Sequence, residues 1–263
     1  MSKLKVLDLF SGIGGFSYGL EKTGLYETVA FCEVDHKAKL VLQKHWPCVP
    51  IFSDVKTLSG YSGHVSETYY KSGNSFGLYD LEMTREVDVI VGGFPCQDIS
   101  SSGKGVGLEG KRSGLWYEFL RLISLIKPKG VIIENVATLR TKGLDKVLQG
   151  LFQIGYDAEW HCIPASYTGA PHERDRVWII AYPSSLRQQK PWRCLKPFSS
   201  EKDVYREADW FVDAFQREEL PFVCGRHDGV PNGMDRLKQL GNSVVWPIVQ
   251  GLGMHLHRNL VDG

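Results

Sequence analysis

The feature that most limits what this chain can become is its opening stretch, where the apolar run KVLDLF (5 to 10) passes directly into SGIGG. A short run this apolar, broken only by Lys5 and Asp8, reads as a buried strand. Glycines 12, 14 and 15 let the backbone turn sharply and start a helix near Gly14. A strand that feeds a helix reaches its next partner by a crossover, which makes that partner parallel. The opening therefore commits the chain to an α/β architecture.

The remaining pattern agrees with that commitment. TVAFCEVD (28 to 35) reads as a second strand and HKAKLVLQKHW (36 to 46) as a helix stopped by Pro47. A third short strand precedes Asp54, and VDVIVGGFP (87 to 95) is a fourth strand running into a loop. Residues 115 to 127 have helical apolar spacing, 130 to 136 read as a strand, and 145 to 154 as a helix. Late strands are expected at 157 to 165 and 175 to 182. Three stretches break the rhythm. Residues 57 to 86 read as a surface insertion, 97 to 113 as a mobile Gly- and Ser-rich loop, and 183 to 235 as a small second region. The expected organisation is a main domain from 1 to 182 and 236 to 263, with 183 to 235 set apart.

Composition narrows the class. Hydrophobic residues make up 43% and charged residues 23% of 263, the balance of a soluble globular protein. No apolar run approaches the roughly 20 residues that span a bilayer, and no signal peptide is read before the first strand. Cysteines 32, 48, 96, 162, 194 and 224 form no CxxC pair, which argues against a zinc site or a disulfide framework and fits a reducing, intracellular setting. The net charge of +1 does not announce a nucleic-acid partner. A local stretch does so more clearly: 183 to 198 carries Arg187, Lys190, Arg193 and Lys196 with Trp192 and Phe198 interleaved, suited to phosphate contact, although a solvated loop has the same composition.

Two groups of residues carry chemistry. In the first, the glycine turn lets a ligand approach the backbone, and the helix that follows favours negative charge at its start. Glu33, closing the second strand, could accept the two hydroxyl hydrogens of a ribose, and Asp54 stands within reach of an adenine amino group. This is a site for a nucleoside-bearing cofactor, without saying which. In the second, Cys96 lies where strand four ends, at the carboxyl edge of the sheet where ligands of such folds bind. Strand five delivers Glu134 to the same edge, and Arg174 and Arg176, two apart, share one face of a strand. A thiol, a carboxyl and an arginine together suit attack on an electron-poor ring. Cys96 would add to C6 of a cytosine while protonated Glu134 holds N3, and Arg176 would bind the O2 oxygen where charge gathers.

At these residues the chain resembles the cytosine-C5 DNA methyltransferase family. DLFSGIGG, GGFPCQDIS, RSGLWYEF, ENV, ERDRVW and QLGNSVVWP occur in the family's order and cover most of 4 to 182 and 236 to 257. The tail from Pro221 to Val245 is similar to compact members from bacteriophages and prophages. The resemblance implies an S-adenosylmethionine-dependent methyltransferase (Rossmann-like) fold with a mostly parallel central sheet. It also implies S-adenosyl-L-methionine as cofactor, with S-adenosyl-L-homocysteine as product, and double-stranded DNA as partner, without metal or membrane. On the family's pattern Phe10, Gly12, Gly14, Glu33, Val34, Asp54, Val55, Pro95 and Leu115 line the cofactor site, and Asn242 with Ser243 closes it. A final helix near 244 to 257 then has to return beside the first strand. Cys96, Glu134, Arg174 and Arg176 serve a cytosine flipped out of the duplex. Only about 50 residues separate DRVWIIAY from the last motif, so the recognition region, 183 to 235, is expected to be small. The resemblance further implies a monomer acting in the cytoplasm of a bacterial or phage-infected cell, as part of a restriction-modification system or alone. An enzyme acting on cytosine in RNA, or a non-catalytic regulator, are the rival readings.

Overall fold

The computed structural model describes residues 2–58, 87–95, 114–168, 174–189 and 243–261. The expected insertion beyond residue 58, the loop after Pro95, Cys96, Asn242 and nearly all of the 183 to 235 region lie outside the described residues.

Seven strands form one sheet in the order β3-β2-β1-β4-β5-β7-β6. They are β1 (Leu4–Leu9), β2 (Tyr26–Cys32), β3 (Ile51–Phe52), β4 (Val89–Gly92), β5 (Gly130–Val136), β6 (Tyr156–Pro164) and β7 (Asp175–Pro183). From β3 to β5 every pairing is parallel, and β7 and β6 are added antiparallel at the far edge. The expected mostly parallel sheet is thus observed. Strand order reverses between β1 and β4, where Leu9 pairs with Gly92. Such a switch point opens a crevice at the carboxyl ends of the strands.

Helices cover both faces, which is why the inner strands are apolar without alternation. On one face Leu7, Leu9, Ile90, Val131, Ile133 and Ile179 pack against Trp116, Phe119 and Ile123 of α3 (Leu115–Ile126) and Val147 and Leu151 of α5 (Leu144–Gln153), which follows the short α4 (Leu139–Lys142). On the other, Val6, Val89, Val91, Ile132, Trp178 and Ile180 meet Phe16 and Leu20 of α1 (Gly15–Glu21). They also meet Ile248, Val249, Leu252 and Leu256 of the closing helix, Trp246–Val261. That helix, α7 (α6 being the short Ser184–Gln189), packs along α1 and shares an apolar cluster with Leu4 and Val6 of β1. Each of its four buried aliphatics contributes roughly 1.5–3 kcal/mol by leaving water. Tyr26 fixes its height by donating its hydroxyl hydrogen to the Gly253 carbonyl at 2.7 Å.

Local signals set the helix ends. Asp35 caps α2 (His36–His45), its side chain accepting from the amides of Lys37 and Ala38. Lys127, in the left-handed region, ends α3 just before Pro128. Pro247 sits in the first turn of α7, where its missing N–H is not required.

Candidate active site

The glycine turn is built at the exit of β1. Phe10, Gly12 and Gly14 all have positive φ, at 54°, 55° and 87°. Phe10 is not a glycine, and its ring lies stacked over Phe119 at 6.3 Å. Ser11 ties the turn to β2, its amide donating to the Cys32 carbonyl at 3.2 Å. The two glycines differ in their surroundings. A Cβ on Gly14 would stand 2.6 Å from Trp46 Cζ3 and 2.9 Å from Leu42 Cδ2, so the chain here runs flush against α2. A Cβ on Gly12 would meet nothing within 4 Å. Gly12 is therefore the open side of the turn.

Glu33 is held in place by that same turn. Its Oε2 accepts from the Gly12 amide and its Oε1 from the Asp35 amide, both at 2.7 Å. Each carboxylate oxygen keeps a lone pair for a further donor. Val34 beside it is 79% exposed, an apolar surface at the lip of the crevice. Asp54 caps a short 3-10 turn, accepting from the Lys56 amide at 3.0 Å. Val55 turns its side chain into the core, so it presents only backbone to a ligand, and its carbonyl accepts from Arg121. Pro95 and Leu115 are half-buried on the same edge.

The second group of expected site residues lies on β4, β5 and β7. Glu134 Oε1 and Arg176 Nε are 2.8 Å apart, with both side chains mostly buried. Burial pushes the Glu134 carboxyl up from its ordinary range, and it outweighs the opposing pull of Arg176 and Arg174. Gly93 makes room for this carboxyl, since a Cβ there would stand 3.1 Å from Glu134 Oε2. Arg174 departs from expectation. It does not share a strand face with Arg176 but precedes β7, with φ of 34°, and its Nη2 donates to the Ser243 carbonyl at 2.9 Å. Ser243 in turn lies against the glycine turn, because a Cβ on Gly15 would be 2.8 Å from its Oγ.

The structure thus brings Phe10, Gly12, Glu33 and Ser243 together around the exit of β1, and Glu134 with Arg176 across β5 and β7, with β4 lying between β1 and β5. Three residues with a part in this geometry were not singled out from sequence. Asn135, 2% exposed, donates from Nδ2 to the Phe94 carbonyl at 3.1 Å and accepts from the Val136 amide, tying the strand that leads to Cys96 to the strand that carries Glu134. Its place within ENV was the available signal. Trp46 underlies Gly14, with its Nε1 donating to Glu21 Oε2 at 2.9 Å. Asp8 is fully buried on β1, and its Oδ2 accepts from the hydroxyl and amide of Ser17. Burial drives its pKa up to about 8.

Among the described residues no cluster of three metal-ligating side chains occurs, and no helix is long and apolar enough to cross a membrane. Cys32, Cys48 and Cys162 are free thiols.

The family model described as C-5 cytosine-specific DNA methylase matches residues 4–217. Type II methyltransferase M.Sau3AI of Staphylococcus aureus is 31% identical over 232 residues, covering 83% of this chain and 52% of the relative. Type II methyltransferase M2.BsuMI of Bacillus subtilis (strain 168) is 33% identical over 186 residues, covering 68% of this chain and 42% of the relative. The chain therefore spans about half the length of the curated relatives it matches. Among solved structures, a putative DNA modification methyltransferase encoded within an Escherichia coli prophage aligns with a TM-score of 0.53 at 25% identity, over 70% of this chain and 48% of that one. The Entamoeba histolytica methyltransferase EhMeth aligns over 99% of both chains with a TM-score of 0.64; at 15% identity it speaks for the fold alone.

Proposed function

This chain belongs to the C-5 cytosine-specific DNA methylase family, and from that membership we propose that it methylates C5 of a cytosine flipped out of duplex DNA. The observation that carries the reading is the buried Glu134–Arg176 pair on β5 and β7, at the same carboxyl edge of the sheet as the open glycine turn that leaves β1.

The cofactor side fits S-adenosyl-L-methionine. Gly12 leaves space for close approach, the preset Glu33 carboxylate suits a ribose, and Val34 offers an apolar surface to a flat base. Asp54 stands toward the adenine end, Pro95 and Leu115 flank the site, and Asn242 with Ser243 closes it. When bound, the cofactor supplies an electrophilic methyl group. The chain's own residues prepare the acceptor. The Cys96 thiolate forms a bond to C6 of cytosine, and the ring's electrons move toward N3. Glu134, biased toward its protonated form by burial, donates its proton there. Arg176 holds the O2 oxygen while the ring carries negative charge. C5 becomes nucleophilic and takes the methyl group. A base then takes the C5 proton, which reforms the C5–C6 double bond and expels the Cys96 thiolate, and N3 returns its proton to Glu134. The base has to leave the stack, because C6 is shielded inside a duplex.

In this reading residues 183 to 235 contact the DNA, and the protein acts as a monomer in the cytoplasm of a bacterial or phage-infected cell. Duplex DNA carrying 5-fluorocytosine tests the mechanism, because fluorine at C5 blocks the last elimination. A covalent protein–DNA adduct is expected with the wild type and none with Cys96→Ser. Absence of an adduct, with normal turnover on ordinary DNA, would exclude attack by Cys96.

A further inference from the structure

The two halves of the site are made by separate pieces of chain, and one side chain reaches both. Arg174 has φ of 34°, a conformation that residues other than glycine hold only where their surroundings impose it. Its guanidinium donates to the Ser243 carbonyl at 2.9 Å, although the two residues are 69 positions apart in the chain. Ser243 and Val244 press on the cofactor turn: a Cβ on Gly15 would be 2.8 Å from Ser243 Oγ and 2.8 Å from Val244 Cγ2. The same cation also opposes the rise that burial imposes on the Glu134 carboxyl. Arg176 differs, because its bonds run to Glu134 Oε1 and to the Asp175 carbonyl, not to the C-terminal segment.

We propose that Arg174 is a positioning residue that tethers the segment entering α7 over the glycine turn, and so serves cofactor binding before any nucleic acid arrives. The proposal rests on the cofactor reading given above. A residue that served the target base alone would leave cofactor affinity untouched in the absence of DNA.

The test is equilibrium binding of S-adenosyl-L-homocysteine and S-adenosyl-L-methionine to the full chain without DNA. Arg174→Gln is expected to weaken binding about tenfold, the scale of one lost hydrogen bond to a charged group. Arg174→Lys, which keeps charge and reach, should recover part of that loss, and Arg176→Gln should bind close to the wild type. Wild-type affinity in Arg174→Gln, or an equal loss in Arg176→Gln, overturns the tether. Hydrogen exchange of residues 243 to 250 reads the tether with no ligand present. Those amides should exchange faster in Arg174→Gln than in the wild type or Arg176→Gln, and unchanged exchange refutes the proposal. Should the wild type bind neither ligand, the cofactor reading fails, and the exchange measurement still decides on the tether. Arg174→Lys also serves in the exchange experiment if Arg174→Gln does not fold: it should exchange between wild type and untethered rates, and protection equal to the wild type would count against a geometry-specific bond.

Discussion

Alanine placed at three glycines separates backbone strain, packing and ligand access, because the three positions share a positive φ and differ in what surrounds them. Gly24 has φ of 74°, and a Cβ added there would meet nothing within 4 Å, so Gly24→Ala carries the backbone effect alone. Left-handed backbone costs an L-residue about 1–2 kcal/mol, and the stiffer unfolded chain returns about 0.4–1 kcal/mol, leaving about 1 kcal/mol of destabilisation. Gly14→Ala adds a collision with Trp46 at 2.6 and 2.8 Å and Leu42 at 2.9 Å. Trp46 is pinned by Glu21 and by its edge contact with Phe31 at 5.2 Å, so it cannot swing aside cheaply. Overpacking of this kind adds about 1–3 kcal/mol, for a total of roughly 2–4 kcal/mol. Gly12→Ala has an empty surround like Gly24 and should cost about as little in stability. Its methyl group, however, enters the space assigned to the cofactor, so this variant should fold and bind S-adenosyl-L-homocysteine poorly. Urea unfolding of the three variants, with unchanged slopes, measures the first two quantities, and equilibrium binding measures the third. Gly14→Ala no less stable than Gly24→Ala would refute the packing argument. Wild-type affinity in Gly12→Ala would refute the placement of the cofactor.

Other perturbations test other parts. Asp8, with a pKa raised to about 8 against an ordinary 3.8, keeps in the folded state a proton that the unfolded chain releases. Its contribution to stability is full below the ordinary value and falls as pH rises toward 8, by at most about 1.4 kcal/mol per unit. Asp8→Asn lacks that loss, so its stability relative to wild type should climb with pH in urea unfolding; a constant difference between them would be incompatible with a protonated Asp8. Glu134→Gln should lower the methylation rate about 10²–10⁴-fold, since an amide cannot give N3 a proton, and a mild effect would remove Glu134 from that role. Because burial raises the Glu134 pKa, the active protonated form is lost as pH rises through that value, so the wild-type rate should fall on the alkaline side. Asn135→Leu should depress the rate of adduct formation on 5-fluorocytosine DNA more than it depresses cofactor affinity, because its bond to the Phe94 carbonyl supports the approach to Cys96.

Much of this arrangement was legible in the sequence because it rests on local signals. The apolar run into SGIGG marked β1, the turn and α1, and ENV and DRVW fell on adjacent strands that pair in register from Val131–Ala181 to Val136–Arg176. What could not be read depends on contacts between distant segments. Spacing put Arg174 and Arg176 on one strand face, but the left-handed backbone at Arg174, bonded to a carbonyl 69 residues away, leaves no local pattern. The family's pattern put Val55 on the cofactor site, whereas the 3-10 turn carries its side chain into the core. Asp8 sits between Leu7 and Leu9 in a buried strand, and only tertiary packing reveals that Ser17 supplies its two hydrogen bonds. Trp46 reads as the end of an amphipathic helix; its role under Gly14 follows from where α2 lies against β2.

The central claim is that this chain methylates cytosine at C5 in duplex DNA through Cys96. The most direct measurement incubates the purified chain with labelled S-adenosyl-L-methionine and mixed-sequence duplex DNA, then digests the DNA and identifies the labelled nucleoside. The wild type should yield 5-methylcytosine and Cys96→Ser none. Label in another nucleoside, label that persists in Cys96→Ser, or transfer to RNA and not to duplex DNA would contradict the claim.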